Sequence, residues 1–184
     1  MKRLILALLV LILLPLSVQA ETSAQFQMVG RAPDDPDVNG FRLVLLYGKN
    51  KSVRGLDLGL ANFSEQETFN GFSFIMGISR TSVSSSGCAC SFVNIHEGKS
   101  SGFNGAFVNL VKNMETGANV GFVNVTENSS SVDIGGLSMS KKSKTQIGFV
   151  NFTEELGTLQ IGFLNFAENG FQPMFPFFNY PKKN

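Results

Sequence analysis

The chain has little charge and few residues that carry out chemistry. Of its 184 residues, 16% are charged, and the formal net charge is +1. A nucleic-acid binder needs a basic face, and electrostatic attachment to a membrane needs clustered charge of one sign. This near-neutral balance therefore argues against both classes. Tryptophan is absent, histidine occurs once and cysteine twice, whereas phenylalanine occurs 18 times and glycine 19 times.

Because histidine and cysteine are scarce, the sequence offers no recognisable set of catalytic residues. His96 occupies a turn position that serine or threonine fills elsewhere, so we expect a solvent-facing residue with no Ser-His-Asp partners. Cys88 and Cys90 are expected to be buried free thiols, with a strained or redox-active pair as the alternative. No Cys or His cluster completes a metal site. The sequence predicts a protein that is not an enzyme and uses no cofactor or metal.

The first 20 residues have the pattern of an export signal. Lys2 and Arg3 precede an unbroken apolar run over residues 4–14, and Val18 and Ala20 suit a cleavage site after residue 20. The apolar run is too short to span a bilayer, and no cysteine follows it for lipid attachment. We expect an exported bacterial protein of the periplasm, outer membrane or cell surface. Residues 21–38 are predicted to form an N-terminal loop segment, followed by a single β-repeat domain over residues 39–184.

An internal repeat organises that domain. Similar apolar segments end at a recurrent position, the Asn slot, at intervals of 13 to 17 residues. Asparagine fills this slot seven times: Asn62, Asn94, Asn109, Asn124, Asn151, Asn165 and Asn179. Ser79 and Ser138 fill it in two degenerate copies, which gives nine copies of about 14 to 15 residues. Residues 171–184 carry three prolines and are expected to cap the array, because proline stops further strand pairing.

Alternation of period two within each copy predicts a β-strand. Apolar residues recur six, four and two positions before the Asn slot, and these columns are expected to form the core. The clearest members six positions before the slot are Leu56, Phe103, Val132 and Leu159. Those four positions before it are Leu58, Ile75, Val120, Ile134, Ile147 and Ile161. Those two positions before it are Leu60, Phe92, Phe107, Phe122, Phe149 and Phe163. Polar residues recur five positions before the slot and are expected to face solvent: Asp57, Asn104, Asn119, Asp133, Gln146 and Gln160. No helical periodicity appears after residue 20.

Two all-β architectures fit this pattern. One is a parallel β-solenoid of about nine coils of 14–15 residues, and the alternative is an antiparallel meander closed into a small β-barrel. Every copy looks alike, whereas a meander would repeat every two strands, so the solenoid is favoured. Charges three positions after the slot alternate in sign from Glu97 through Lys112, Glu127 and Lys141 to Glu154, which also suits coils stacked as neighbours.

Two columns are candidate functional or structural positions. The Asn slot is expected to form a structural ladder, in which each side-chain amide bonds its copy in the next coil. The residue just before the slot is also apolar, and an outward stripe of this kind suits lipid or a partner. The members of this candidate contact stripe are Val93, Val108, Val123, Val150 and Leu164.

Four motifs carry a resemblance to a known family: residues 38–50, residues 53–62, the repeated Gln-Ile-Gly-Phe-x-Asn unit, and the closing residues 168–179. In combination they resemble bacterial exported surface repeat proteins with Gly-x-Gln-x-Gly-x-x-Asn units, over residues 38–181. The resemblance implies an envelope or secreted location. It does not imply any catalysed reaction.

The sequence thus predicts a non-catalytic structural or protein-interaction module of the bacterial envelope. The alternatives are a small outer-membrane β-barrel and a secreted solenoid that binds glycan or ice. The expected partner is an unknown protein or another envelope component. Contact with a membrane is compatible with the sequence. Nucleic acid is excluded, and a small-molecule ligand is disfavoured.

Overall fold

The computed structural model describes residues 22–29, 31–32 and 34–182, with residues 31, 32 and 61 described by their backbone alone. The predicted signal segment, residues 1–20, lies outside the described residues. Within them, β1 (Thr22–Gln27), β2 (Arg31–Ala32), β3 (Asp37–Val44), β4 (Tyr47–Ala167) and β5 (Met174–Asn179) follow in chain order. This described part of the chain holds no helix that is long and apolar enough to cross a membrane.

Successive coils pair in parallel, as in a β-solenoid. Phe26 of β1 pairs with Leu43 of β3, and Leu43 pairs in turn with Leu58 of β4, which places equivalent residues of consecutive coils side by side. β4 continues this winding through a long β-run. The predicted all-β parallel solenoid is therefore confirmed. The alternative of a closed antiparallel barrel is wrong, because its neighbouring strands would run in opposite directions.

A column of glycines at one corner allows the coils to stack closely. Each glycine packs against the backbone of the one before it, at steps of 15 or 16 residues, and the first packs against the backbone of Ser23. The members of the column are Gly40, Gly55, Gly71, Gly87, Gly102 and Gly117. Gly55 has a φ of 117° and Gly102 a φ of 107°, which side-chain-bearing residues rarely adopt. A Cβ atom at either position would also overlap the backbone of the glycine in the preceding coil.

The interior of the solenoid is mostly polar, which contradicts the expected core. The column predicted to face solvent is buried, with Asp57, Asn119, Asp133, Gln146 and Gln160 all 0% exposed and Asn104 2% exposed. Of the columns expected to form the core, Ile75 alone is buried among the members named above, and the others are half-buried or exposed. The alternation groups most residues on common faces, with Ile75 as an exception, but it does not decide which face is inside.

Antiparallel segments close both ends of the stack. β2 pairs antiparallel with β1, and β5 pairs antiparallel with the last coil, where Gln160 lies opposite Asn179. The predicted loop over residues 21–38 therefore contains β1, β2 and the start of β3. The inward Gln25 and Gln27 of β1 resemble the polar interior of later coils. The C-terminal cap forms, but Asn179 belongs to it and not to the parallel stack, so the repeat count from sequence included one strand of the cap.

Candidate functional site

The Asn slot lies inside the solenoid and forms side-chain hydrogen bonds between coils. Nδ2 of Asn94 donates to Oδ1 of Asn109 at 3.1 Å, and Nδ2 of Asn109 donates to Oδ1 of Asn124 at 2.9 Å. Asn151 donates in the same way to Asn165 at 2.8 Å. Between these two runs the slot holds Ser138, and Asn124 donates instead to the backbone carbonyl of Ile134.

The glycine three positions before the slot makes room for this ladder. A Cβ atom on Gly121 would lie 2.9 Å from Nδ2 of Asn109, and one on Gly162 would lie 2.6 Å from Nδ2 of Asn151. The recurrent Gly-x-x-Asn spacing therefore has a structural cause: the asparagine amide of one coil occupies the space that a side chain of the next coil would need.

A second polar column, five positions before the slot, is also linked from coil to coil. Asn104 donates to Asn119 at 2.9 Å, and Asn119 donates to Oδ1 of Asp133 at 2.9 Å. Burial raises the pKa of Asp133 above its usual value, although Asn119 and other polar neighbours oppose the shift. Further along, Gln160 donates to Oε1 of Gln146 at 2.7 Å. Hydrogen bonds along the column offset the cost of burying these groups.

A buried ion pair anchors the N-terminal coils. Arg42 contacts Asp57 through its guanidinium at 2.6 Å, and both side chains are fully buried. Arg42 also donates to Asn50, Ser64 and Gln66. This network satisfies a charge that would be very costly to bury alone. Sequence analysis missed it, because Asp57 was assigned to the solvent side.

His96 is buried, which contradicts its expected place in a solvent-facing turn. The side chain is 2% exposed, and neither ring nitrogen has a hydrogen-bond partner. Burial lowers the pKa of His96 to about 4, although neighbouring Asn104 opposes the shift. The residues two positions after the slot point inward, and Thr81 and Thr126 at the same position are buried too.

Apart from the buried Ile75, the apolar columns that sequence analysis assigned to the core are exposed or half-buried and lie on one sheet face. Phe72, Phe74 and Met76, which lie outside those columns, are exposed with them. We call this surface the aromatic face. Its exposed members are Leu56, Leu60, Phe72, Phe74, Met76, Phe92, Phe103, Phe107, Phe122, Ile134, Ile147, Phe149, Ile161 and Phe163. Along one column the rings stack between coils, with centroids 5.2 Å apart for Phe107 and Phe122 and 5.1 Å apart for Phe149 and Phe163.

The aromatic face is far more apolar than an ordinary protein surface. Phe92, Phe107, Phe122 and Phe149 are each exposed by 60% or more. Soluble monomers rarely expose a contiguous apolar patch of more than a few hundred Å², and larger patches mark interaction sites. The predicted contact stripe lies beside this face: Val93, Val108, Val123, Val150 and Leu164 are half-buried, each between an exposed phenylalanine and an inward Asn slot.

The two cysteines lie in the outward columns. Cys88 and Cys90 are free and half-buried, and their Sγ atoms are 3.8 Å apart. Burial, with a contribution from Cys88, raises the pKa of Cys90 to about 11, so its thiol is a poor nucleophile at neutral pH. Among the described residues, no group of three or more Cys, His, Asp or Glu side chains could hold a metal ion.

Charged side chains pair along the coil edges, but not in the expected register. Arg80 bridges Glu65 at 3.0 Å and Glu97 at 2.7 Å, and Lys99 contacts Glu115 at 2.8 Å. In the part of the chain that the structure describes, no ion pair joins Lys112 or Lys141 to the glutamates of the alternating series. The sign alternation therefore does not carry the argument for the solenoid, which rests on the parallel pairing.

A groove of about 500 Å³ lies beside the last coils. Its apolar floor includes Val125, Met139, Phe152 and Phe166, and its rim carries Glu127, Lys141, Glu154 and Glu168. Phe152 and Phe166 stack with their ring centroids 4.4 Å apart. The groove is open, and its uncharged polar lining residues are Thr126, Ser140 and Thr153.

Comparison of the chain with family models, with curated proteins and with solved structures finds no match. The resemblance to exported surface repeat proteins stays a prediction from the motifs. The structure itself defines the class of fold, a parallel β-solenoid with a polar, hydrogen-bonded interior and an apolar outer face. The aromatic face is its candidate functional site.

Proposed function

We propose that the protein is a non-catalytic interaction module of the bacterial envelope, which docks through the aromatic face. The observation that carries the proposal is the exposure of the aromatic column, where Phe92, Phe107 and Phe122 each present about three-fifths of their surface to solvent. Burial of such rings contributes roughly 25 cal/mol of favourable free energy for each Å² of apolar surface that is removed from water. An unpartnered face of this kind gains much free energy when a partner covers it.

The rest of the molecule supports a scaffold role. Many interior polar side chains form coil-to-coil hydrogen bonds, such as those of Asn94 with Asn109 and of Gln160 with Gln146. These groups hold the coils together and are not directed at a ligand. The export pattern of residues 1–20 supports placing the module in the envelope.

Site-specific photo-crosslinking in the producing cell tests the proposal. A photoreactive phenylalanine analogue replaces Phe107 in the aromatic face, and in a matched control it replaces Val83, which is also exposed but lies outside that face. We expect a discrete adduct from position 107, in the exported fraction, and none from position 83. Absence of any adduct at 107, equal adducts at both positions, or retention of the chain in the cytoplasm contradicts the proposal.

A further inference from the structure

The aromatic face has enough area for a stable protein interface. Its five most prominent rings belong to Phe92, Phe107, Phe122, Phe149 and Phe163, which are 54–63% exposed. Since a phenylalanine side chain has an area of roughly 200 Å², these rings alone offer roughly 600 Å². The aliphatic residues and other rings of the face bring the total to roughly 1,000 Å², and a standard interface buries about 800 Å² per partner.

The relief of the face is self-complementary. Over three coils, the phenylalanines Phe92, Phe107 and Phe122 form a ridge, and the columns beside it carry the small residues Cys88, Cys90, Gly105 and Ala118, whereas in later coils the same columns carry the exposed Ile134, Ile147 and Ile161. The ring of Phe103 leans over Gly105 and is 40% exposed. A ridge beside a shallow trough allows two copies of one surface to interlock, as in face-to-face packing of two sheets about 10 Å apart.

The chemistry of the face suits an apolar partner of the same kind. Its large exposed residues are phenylalanine, leucine, isoleucine and methionine, which offer no donors or acceptors to orient a polar ligand. The chain has 15 basic and 14 acidic residues, so no cationic excess directs the face to anionic lipid. At the C-terminal end of the stack, β5 pairs antiparallel with the last coil and opposes further stacking there, whereas β2 pairs with only Phe26 and Gln27 of β1 at the other end.

We propose that the aromatic face is a homodimer interface, in which two copies of the chain pack face to face. The two-fold axis lies between the two faces and runs along the direction in which the coils stack. The two-fold axis places the ridge of each copy in the trough of the other, so both copies use the same surface and the assembly closes at two. This proposal rests on the proposed function, since it names the partner that the aromatic face takes.

Sedimentation velocity of the purified protein at micromolar concentration tests the dimer. We expect one species of twice the monomer mass. The double variant Phe107→Ser/Phe122→Ser should raise the dissociation constant about 100-fold or more, because each substitution removes two buried rings from the symmetric interface. The matched control Val83→Ser, an exposed apolar residue outside the face, should leave the dimer unchanged. Circular dichroism verifies that each variant keeps its β-sheet signal.

Several outcomes overturn the dimer. These are a wild-type monomer at tens of micromolar, open-ended aggregates in place of a closed dimer, or a folded double variant that still dimerises. If the double variant does not fold, Phe107→Ser alone is measured, and an unchanged dissociation constant overturns the proposal.

The crosslinking experiment separates this inference from the proposed function. A wild-type monomer whose position-107 adduct contains a different envelope component refutes the dimer and leaves the docking function standing. A wild-type monomer with no adduct at position 107 refutes both.

Discussion

Asn109 offers the sharpest test of the interior ladder. Its side chain is fully buried, accepts from Asn94 at 3.1 Å, and donates to Asn124 at 2.9 Å and to the backbone carbonyl of Val120 at 3.2 Å. Valine has a similar volume but no polar atoms. Asn109→Val therefore removes three hydrogen bonds and leaves Oδ1 of Asn124 buried without its partner.

The expected loss follows from these contacts. Leaving a buried polar group unsatisfied costs ~1–3 kcal/mol, whereas Asn94 keeps a bond to the carbonyl of Ala89 at 3.1 Å and is less affected. We expect Asn109→Val to lower the free energy of unfolding by about 3 kcal/mol. For a domain of this size, that corresponds to a drop in Tm of about 6–12 °C.

Thermal unfolding followed by circular dichroism measures the effect. The matched control is Asn128→Val, because Asn128 is an exposed asparagine of the same β-run. Like Asn109→Val, the control variant replaces a side-chain amide with a β-branched apolar side chain, but it leaves every hydrogen bond of the ladder in place. Equal Tm values for the two variants would refute the ladder as a stabilising element.

Three further substitutions test other parts of the account. Arg42→Met leaves the carboxylate of Asp57 buried without its cation, and urea unfolding should show a loss of about 3–5 kcal/mol, so a loss under 1 kcal/mol argues against the network. His96→Thr tests the pH dependence of stability. The pKa of His96 is about 4 in the folded state and 6.5 in the unfolded state. The free energy of unfolding of the wild type should therefore fall by up to ~3 kcal/mol as the pH falls from 6.5 towards 4. The variant should lack that part of the slope in denaturation curves recorded across this range, and parallel curves for the two proteins contradict a buried neutral imidazole. Gly121→Ala should lower the Tm by several degrees, because its Cβ would overlap the carbonyl of Ala106 in the coil below, whereas Gly157→Ala, whose nearest contact is 3.3 Å, should lower it less, and equal Tm values contradict close packing at Gly121.

The repeat in the sequence was sufficient to predict the stacking of coils. Coil length and the recurrence of the Asn slot follow from spacing alone, because equivalent residues of a solenoid must recur at one coil length. Parallel pairing of Leu43 with Leu58, one coil apart, agrees with that inference. The corner glycines such as Gly55 and Gly102 recur at the same interval, and their spacing was a usable signal that was not recognised.

The direction of each face could not be predicted from alternation. Burial of apolar residues is the usual outcome, so Phe107 and Phe122 were assigned to the core and Asn119 to solvent. In the structure, polar side chains of neighbouring coils satisfy one another, as Asn104 and Asn119 do, so a polar column can be buried at tolerable cost. The argument that predicted a ladder at the Asn slot applies equally to the column of Asn104 and Asn119, and would have predicted coil-to-coil hydrogen bonds there too.

His96 shows the limit of reasoning from one position. Serine and threonine fill its slot in other coils, and such residues are common in exposed turns. Those slots prove to be interior, as buried Thr81 and Thr126 show, and the imidazole is enclosed with them. Whether a small polar residue points inward depends on the corners of the coil, which a single sequence does not specify.

In this solenoid the phenylalanine columns lie outside and the polar columns inside. The triple variant Phe107→Ser/Phe122→Ser/Phe149→Ser tests it most directly, through its cooperative thermal unfolding followed by circular dichroism. Because the three rings are 60–63% exposed, the account predicts a folded protein with a cooperative transition and less tendency to aggregate. Loss of the β-sheet signal in the triple variant would mean that the rings form a core, and would contradict the arrangement described above.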